Sequence, residues 1–165
     1  MKLILIGFMG SGKSTISQLV AEKLSLPFVE LDSEIIKISG EDSILDIFSK
    51  FGEDCFRELE TKVLLKYLAL NDIVISPGGG VVVRKENAQA IKDSDVKVVF
   101  LETSFDVLKK RLAESSDRPL FQDIEKAKKL FENRQSLYQD LSNYTVVTDS
   151  KSINQVVEQV SKLLS

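Results

Sequence analysis

The sequence predicts an α/β fold in which a five-stranded parallel sheet lies between two layers of helices, a three-layer α/β/α arrangement. Strand-like apolar runs alternate with helical patterns, and no long linker, repeat or low-complexity tract interrupts them. The first apolar run leads directly into a glycine-rich segment that opens a helical pattern, a junction typical of such sheets. The 165 residues, 43% of them hydrophobic, suit one domain over 1–165 with a sizeable core.

The individual elements follow from hydrophobic periodicity. The predicted strands are residues 2–6, 28–31, 72–76, 97–101 and 144–147. Two helices expected to pack on the sheet carry the apolar stripes Ile16, Leu19, Val20, Leu24 and Phe56, Leu59, Val63, Tyr67. Thr103 and Asp106 resemble a capping box for a helix that ends near Ala113. The last predicted helix spans 124–139 and carries the stripe Ala127, Leu130, Phe131, Leu137, Tyr138.

Composition excludes several classes of function. The net charge is −3 with both signs interspersed, which argues against a nucleic-acid partner. The chain has no histidine and a single cysteine, Cys55, so disulfides, Cys/His zinc sites and a histidine general base are excluded. We expect a reducing, cytoplasmic setting, because the chain has a single cysteine and shows neither a signal-peptide pattern nor a run of membrane-spanning length. We also expect a monomer.

Residues 7–14 fit the phosphate-binding pattern G-x-x-x-x-G-K-[ST] and directly follow the first predicted strand. A loop in this position turns backbone N–H groups inward as an anion site, and the helix N-terminus adds its positive dipole end. Gly10 and Gly12 allow the tight turn, and we expect the nucleotide to contact Gly10, Ser11, Gly12, Lys13, Ser14 and Thr15. The alternative is a glycine turn with a solvated lysine.

Phosphoryl transfer also needs a metal ion and a positioned acceptor hydroxyl. We expect Lys13 to reach the β- and γ-phosphates and the Ser14 hydroxyl to ligate Mg²⁺, whereas Thr15 is a neighbouring helix residue and no metal ligand. Glu30 and Asp32 flank the end of the second strand, where alternation would place both on one face. One could serve magnesium and the other the substrate; the alternative is an acid that caps the next helix.

Three arginines stand out by position. Arg134 falls within the apolar stripe of the helix over 124–139, so its guanidinium should face inward and require an anion from the protein or from a ligand. Arg57 is a second candidate ligand-binding arginine. It lies three residues before Glu60, so the alternative is an ordinary ion pair within the helix. Arg111 either stacks on an adenine ring or is a surface arginine that covers apolar neighbours.

Two further segments are candidates for the site. Gly78, Gly79 and Gly80 follow the third strand and would let a ligand approach the backbone closely, unless they form a plain flexible turn. The polar stretch around Arg118 lies between two helices and could close over bound nucleotide as a mobile lid of about residues 113–124, or merely connect the helices.

Taken together, these motifs resemble the shikimate kinase family over nearly the whole chain. The matching features are the phosphate loop with Thr15, the acid at Asp32, Phe56-Arg57 followed by Glu60, the three glycines, Arg118-Pro119-Leu120, and Arg134 with Tyr138. The resemblance implies a P-loop kinase fold with a mobile lid. It also implies transfer of the γ-phosphoryl group of ATP to the 3-hydroxyl of shikimate, in aromatic amino acid biosynthesis.

The resemblance also implies residue roles. Asp32 would hold and deprotonate the acceptor hydroxyl, while Arg57 and Arg134 would grip the shikimate carboxylate within a substrate-binding region of about 32–60. The glycine turn would contact substrate, Arg118 would arrive with the lid, and Arg111 would stack on adenine. Lys13, Asp32 and Arg118 form the catalytic set in this interpretation.

Two departures from the family pattern matter. Many members have Asp-x-Asp where this chain reads Glu30-Leu31-Asp32, and we expect Glu30 to keep the family's contact to magnesium through water. The chain also has apparent extra length around 41–43.

Two other hypotheses stay open. One is a kinase of the same fold that acts on gluconate or a nucleoside monophosphate. The other is a nucleotide-dependent binding module that has lost transfer chemistry.

Overall fold

A computed structural model of the chain describes residues 1–114 and 123–164. Arg118 and residues 115–122 of the expected lid lie outside the described residues, so the predictions about the lid stay predictions.

The sheet confirms the predicted fold class. Its five strands are all parallel in the order β2-β3-β1-β4-β5. Their bounds are β1 Lys2–Ile6, β2 Phe28–Glu30, β3 Ile73–Ser76, β4 Lys97–Glu102 and β5 Tyr144–Val147. These bounds differ from the predicted ones by at most one residue at either end. The second strand is shorter than predicted because Leu31 already begins a helix.

Seven α-helices lie within the described ranges. Their bounds are α1 Lys13–Leu24, α2 Leu31–Ser39, α3 Ile44–Leu68, α4 Lys85–Asp93, α5 Phe105–Ala113, α6 Ile124–Leu141 and α7 Ile153–Leu163. Helix α3 is interrupted at Gly52, whose φ of 82° and ψ of 172° are non-helical. None of the helices in the described part of the chain is long and apolar enough to cross a membrane.

The predicted capping box at Thr103 is wrong by one residue. Helix α5 is capped by Ser104, whose side chain accepts a hydrogen bond from the Val107 N–H at 3.4 Å. The Thr103 hydroxyl is buried and instead pairs with the Thr148 hydroxyl at 2.6 Å, beyond the end of β5. A hydroxyl committed to the neighbouring strand end is not available as a cap, so the next serine takes that role.

Two buried clusters, one on each face of the sheet, make up the core. Alternation along β1 sends Leu3 and Leu5 to the face covered by α1 and α7, and Ile4 and Ile6 to the opposite face. The predicted stripe of α1 packs on the sheet as expected. Helix α3 also contacts α2 and α4, and its predicted stripe reaches the core on the second face, where Phe56 and Val63 are buried in the cluster and Leu59 and Tyr67 pack against it. The carboxyl ends of β1, β2 and β3 therefore meet at one edge, from which the phosphate loop, α2 and the glycine turn emerge.

Candidate active site

The phosphate loop is a tight turn between β1 and α1. Gly10 and Gly12 have φ of +80° and +89°, and a Cβ on Gly10 would stand 2.9 Å from the Leu112 side chain. The Ser11 N–H donates to the Phe8 carbonyl at 3.2 Å and closes the loop. Helix α1 begins at Lys13 without a side-chain cap, so its first N–H groups are available to an anion.

Lys13 folds back over this loop. Its Nζ donates to the Phe8 carbonyl oxygen at 3.0 Å, and the residue is only 8% exposed. Lys13 also lines the cavity beside the loop, and its contact with nucleotide phosphates stays a prediction.

Ser14 and Glu30 meet at the mouth of the loop. The Ser14 hydroxyl donates a hydrogen bond to the Glu30 carboxylate, and the Ser33 hydroxyl donates to the other oxygen of that carboxylate at 3.1 Å. A hydroxyl and a carboxylate are the hard oxygen ligands that Mg²⁺ accepts when phosphates and waters complete its shell. The pair therefore fits a Mg²⁺ ion that nucleotide phosphates also hold; among the described residues there is no group of three acidic, histidine or cysteine side chains that could hold a metal.

Asp32 reaches the site by a different route from the one predicted. Strand β2 ends at Glu30, and Asp32 lies in the first turn of α2, so alternation along a strand does not bring the two carboxylates together. They nevertheless line one cavity of about 350 Å³, since the helix turns at the strand end. The other residues that line it are Met9, Gly10, Gly12, Lys13, Ser14, Thr15, Pro77, Gly78 and Gly79.

A second cavity, of about 210 Å³, adjoins the other side of the phosphate loop. It is lined by loop residues, by Arg111 and by the segment between β5 and α7, including Thr148, Lys151 and Ile153. The Arg111 guanidinium donates to the Gly10 carbonyl at 3.2 Å, which ties α5 to the loop. Sequence reasoning identified Arg111 but missed the segment after β5, because its residue types carry no phosphate or metal signature.

The three glycines form a turn that side chains and backbone of neighbouring segments approach closely. A Cβ on Gly78 would stand 2.9 Å from Asp32 Oδ1, and one on Gly80 would stand 2.5 Å from the Arg57 guanidinium. On Gly79 it would lie 3.3 Å from the Gly7 carbonyl oxygen. The absence of side chains lets an acid, the phosphate loop and an arginine converge on this turn.

Arg57 is held by carboxylates of its own helix. Its guanidinium pairs with Glu60 at 2.7 Å and with Glu53 at 3.4 Å, and lies 5.2 Å from the centroid of the Phe56 ring. The intrahelical pair that was its alternative interpretation therefore forms. The same guanidinium also stands against Gly80, so the pair orients Arg57 toward the site.

Glu60 is a buried acid, 1% exposed, that sequence reasoning named only as the intrahelical partner of Arg57 and as a motif residue. Burial raises the pKa of Glu60, and the nearby Asp32 adds to the rise, whereas the Arg57 and Arg134 guanidinium groups oppose it. Glu60 is thus the point where the two arginines and the acid of the site interact electrostatically. Its position four turns into α3 hid it, because an acid beside an arginine is common on solvated helices.

Arg134 is buried as its position in the apolar stripe predicted. It is 8% exposed, and its guanidinium lies 5.9 Å from the Phe8 ring centroid. No carboxylate in residues 1–114 and 123–164 forms an ion pair with it, and its Nε has no hydrogen-bond partner among them. A desolvated guanidinium is costly without an anion, and the Glu60 carboxylate interacts with Arg134 electrostatically although no ion pair forms between them.

Comparison with known proteins agrees with this geometry. A protein-family model for shikimate kinase matches residues 9–165. The shikimate kinase of Enterococcus faecalis is 40% identical over 98% of this chain and 97% of its own length. The structure of an Acinetobacter baumannii shikimate kinase in complex with shikimate superposes with a TM-score of 0.91 at 31% identity, over 99% of this chain and 92% of that one.

The crystal structure of a shikimate kinase from Aquifex aeolicus superposes with a TM-score of 0.88 at 36% identity, over 99% of this chain and 96% of that one. The family model covers residues 9–165, and the curated relative is 40% identical over almost the whole of both chains. The chain therefore belongs to the shikimate kinase family, whose members are ATP-dependent kinases.

Proposed function

We propose that the protein transfers the γ-phosphoryl group of ATP to the 3-hydroxyl of shikimate, giving shikimate 3-phosphate and ADP. The observation that carries the proposal is the buried Arg134 guanidinium, which lacks a carboxylate partner among the described residues and lies in one electrostatic cluster with Arg57 and Asp32. Shikimate would add a carboxylate for the Arg134 and Arg57 guanidinium groups, together with hydroxyl groups on a small ring.

The nucleotide occupies the two cavities that share the phosphate loop. Its phosphates lie on the loop N–H groups and on Lys13, and its adenine ring enters the second cavity against Arg111. Ser14 would ligate Mg²⁺ and Glu30 would contact it through water; the hydrogen bond between the two side chains at the loop mouth supports a shared metal position. When bound, the metal neutralises charge on the phosphates.

The acceptor lies between the glycine turn and the arginines. Arg57 and Arg134 bind its carboxylate, for which the planar guanidinium offers paired N–H donors. Gly78, Gly79 and Gly80 let its ring approach the backbone, and Asp32, which lines the same cavity as Lys13 and Ser14, faces the hydroxyl that reacts. Both substrates therefore reach one cavity from opposite ends.

The reaction follows as an in-line displacement. The acceptor oxygen forms a bond to the γ-phosphorus while the bond from that phosphorus to the bridging oxygen of ADP breaks, and Asp32 takes the acceptor proton. Lys13 offsets the charge that develops on the phosphoryl oxygens, a role that we also assign to Arg118 by the family resemblance. Most of the rate enhancement comes from holding the two oxygens in line.

The test is ADP release from ATP and Mg²⁺ with shikimate, gluconate or a nucleoside monophosphate added separately, and Asp32→Asn as the control. Release that depends on shikimate and is lost in Asp32→Asn would support both substrate and base. Release only with another acceptor would contradict the substrate, and nucleotide binding without turnover would favour the binding module.

The same proposal places the reaction in aromatic amino acid biosynthesis in the cytoplasm. It takes the protein to be a monomer, which light scattering on the purified chain tests directly.

A further inference from the structure

Tyr138 connects α6 to the glycine turn. Its side chain is fully buried, and its hydroxyl lies 2.5 Å from the Gly79 carbonyl oxygen. A carbonyl oxygen can only accept, so the tyrosine is the donor. This hydrogen bond joins segments 59 residues apart in sequence at a point on the wall of the proposed acceptor site.

The ring that carries this hydroxyl is held in one position. It stacks on Phe100 of β4 with centroids 5.2 Å apart and planes 27° from parallel. Burial raises the pKa of Tyr138 to about 12, although the neighbouring Arg134 guanidinium opposes the rise. The hydroxyl therefore keeps its proton throughout the working pH range and remains a donor.

Tyr138 also lies one helical turn after Arg134, so both side chains project from the same face of α6. The Arg134 guanidinium is close enough to the Tyr138 hydroxyl to influence its titration. One turn of helix thus carries both a proposed ligand of the acceptor carboxylate and the donor that holds the opposite wall of the site.

The phosphate loop depends less on the Tyr138–Gly79 hydrogen bond than the glycine turn does. Gly79 approaches the Gly7 carbonyl and the Met9 N–H, but the loop is closed by its own bonds from Ser11 and Lys13 to the Phe8 carbonyl. Loss of the Tyr138 donor should therefore move the glycine turn relative to α6 and leave the nucleotide site in place.

We propose that Tyr138 is a positioning residue that sets the spacing between Arg134 and the glycine turn and so tunes affinity for the acceptor carboxylate. This inference rests on the proposed function. Tyr138 does not contact the reacting atoms, and it acts through Gly79 and Arg134.

The experiment compares Tyr138→Phe with Tyr67→Phe in initial-rate kinetics with both substrates varied, alongside thermal unfolding. Tyr67 is the matched control, because its hydroxyl also donates at 2.5 Å, to Glu34, but between α2 and α3 and away from the glycine turn. Loss of one net hydrogen bond corresponds to a change of about three- to tenfold. We expect Tyr138→Phe to raise the KM for shikimate by that factor, with the KM for ATP changed less than about twofold, and Tyr67→Phe to change neither.

Three other outcomes would contradict the proposed role of Tyr138. An unchanged KM for shikimate would show that the contact does not act on the acceptor. A Tyr138→Phe protein that fails to fold, or that loses affinity for both substrates equally together with a lower Tm than Tyr67→Phe, would show a purely structural role. Wild-type protein without shikimate-dependent turnover would overturn the proposed function and this inference together.

Discussion

Substitution of Gly80 by alanine offers a sharp test of the acceptor site, because its effect is confined to one contact. Gly80 has φ of −91° and ψ of 0°, which alanine can adopt, so the backbone itself tolerates the change. The added Cβ, however, would lie 2.5 Å from Arg57 Nη1 and 2.6 Å from Nη2. The guanidinium must move by about 0.9 Å to reach an ordinary contact of 3.4 Å.

That displacement is large for a group that positions a substrate. Arg57 cannot retreat freely, because Glu60 holds the guanidinium at 2.7 Å. A misplacement of about 1 Å in a positioning group can cost about 10²-fold in rate. We therefore expect Gly80→Ala to lower kcat/KM for shikimate by between about tenfold and 100-fold. The stability cost should stay near the ~0.5–1.5 kcal/mol of one strained side-chain torsion, since only a flexible side chain has to shift.

The assay is steady-state phosphorylation of shikimate by wild type, Gly80→Ala, Arg57→Ala and the double variant, with the KM for ATP measured in each. In the Arg57→Ala background the new methyl group meets no guanidinium, so the further effect of Gly80→Ala should shrink to less than about twofold. The KM for ATP should stay constant throughout, because the phosphate loop is not displaced.

Two results would refute this reasoning. A Gly80→Ala protein with kcat/KM within about twofold of wild type would show that Arg57 does not have to occupy its present position. An equally large effect of Gly80→Ala in the Arg57→Ala background would show that the glycine acts through some other group.

Three further predictions follow from the charged groups of the site. Arg134→Lys should raise the KM for shikimate at least about tenfold, because an ammonium cannot form a paired grip on a carboxylate; near-normal affinity would contradict the assignment. Glu30→Ala should raise the Mg²⁺ concentration needed for half-maximal activity, and an unchanged requirement would count against its contact through water. Burial raises the pKa of Glu60 above its ordinary value of 4.5, so the folded protein binds this proton more tightly than the unfolded chain does. Its contribution to the free energy of unfolding is therefore fully present below pH 4.5 and is lost as the pH rises through the folded-state pKa. Chemical denaturation at a series of pH values should show that loss in wild type and not in Glu60→Gln; identical profiles would rule out the titration.

Local sequence patterns were sufficient to predict the strands of the sheet and two parts of the site, Arg134 and the phosphate loop. Strands β1, β3 and β4 are largely buried apolar runs, and the positions of all five strands, including the more exposed β2 and β5, could be read within one residue. Arg134 could be found because an arginine within an apolar helical stripe must face inward, and the structure places it there. The phosphate loop was equally accessible, since its function depends on backbone conformation that a short motif determines.

The remaining parts of the site depend on tertiary contacts that no local pattern encodes. Asp32 was expected just past the end of a strand, on the face that strand alternation gives, and lies in the first turn of a helix instead, because whether a chain turns at the end of a strand is decided by what packs above it. Glu60 appears in sequence as half of an ordinary helical pair. Its burial against the glycine turn becomes visible only when α3 and the end of β3 are placed together.

The glycine turn shows how sequence and structure lead to different explanations of one motif. From sequence, three glycines after a strand indicate room for a ligand. In the structure, protein groups already occupy that room, since Asp32 faces Gly78, Tyr138 bonds to Gly79 and Arg57 stands against Gly80. Gly78 and Gly80 are therefore required before any substrate arrives, because a Cβ there would displace Asp32 or Arg57. It follows that alanine at Gly80 should displace Arg57 in the ligand-free protein, and a crystal structure of that variant without substrate would show the shift or contradict it.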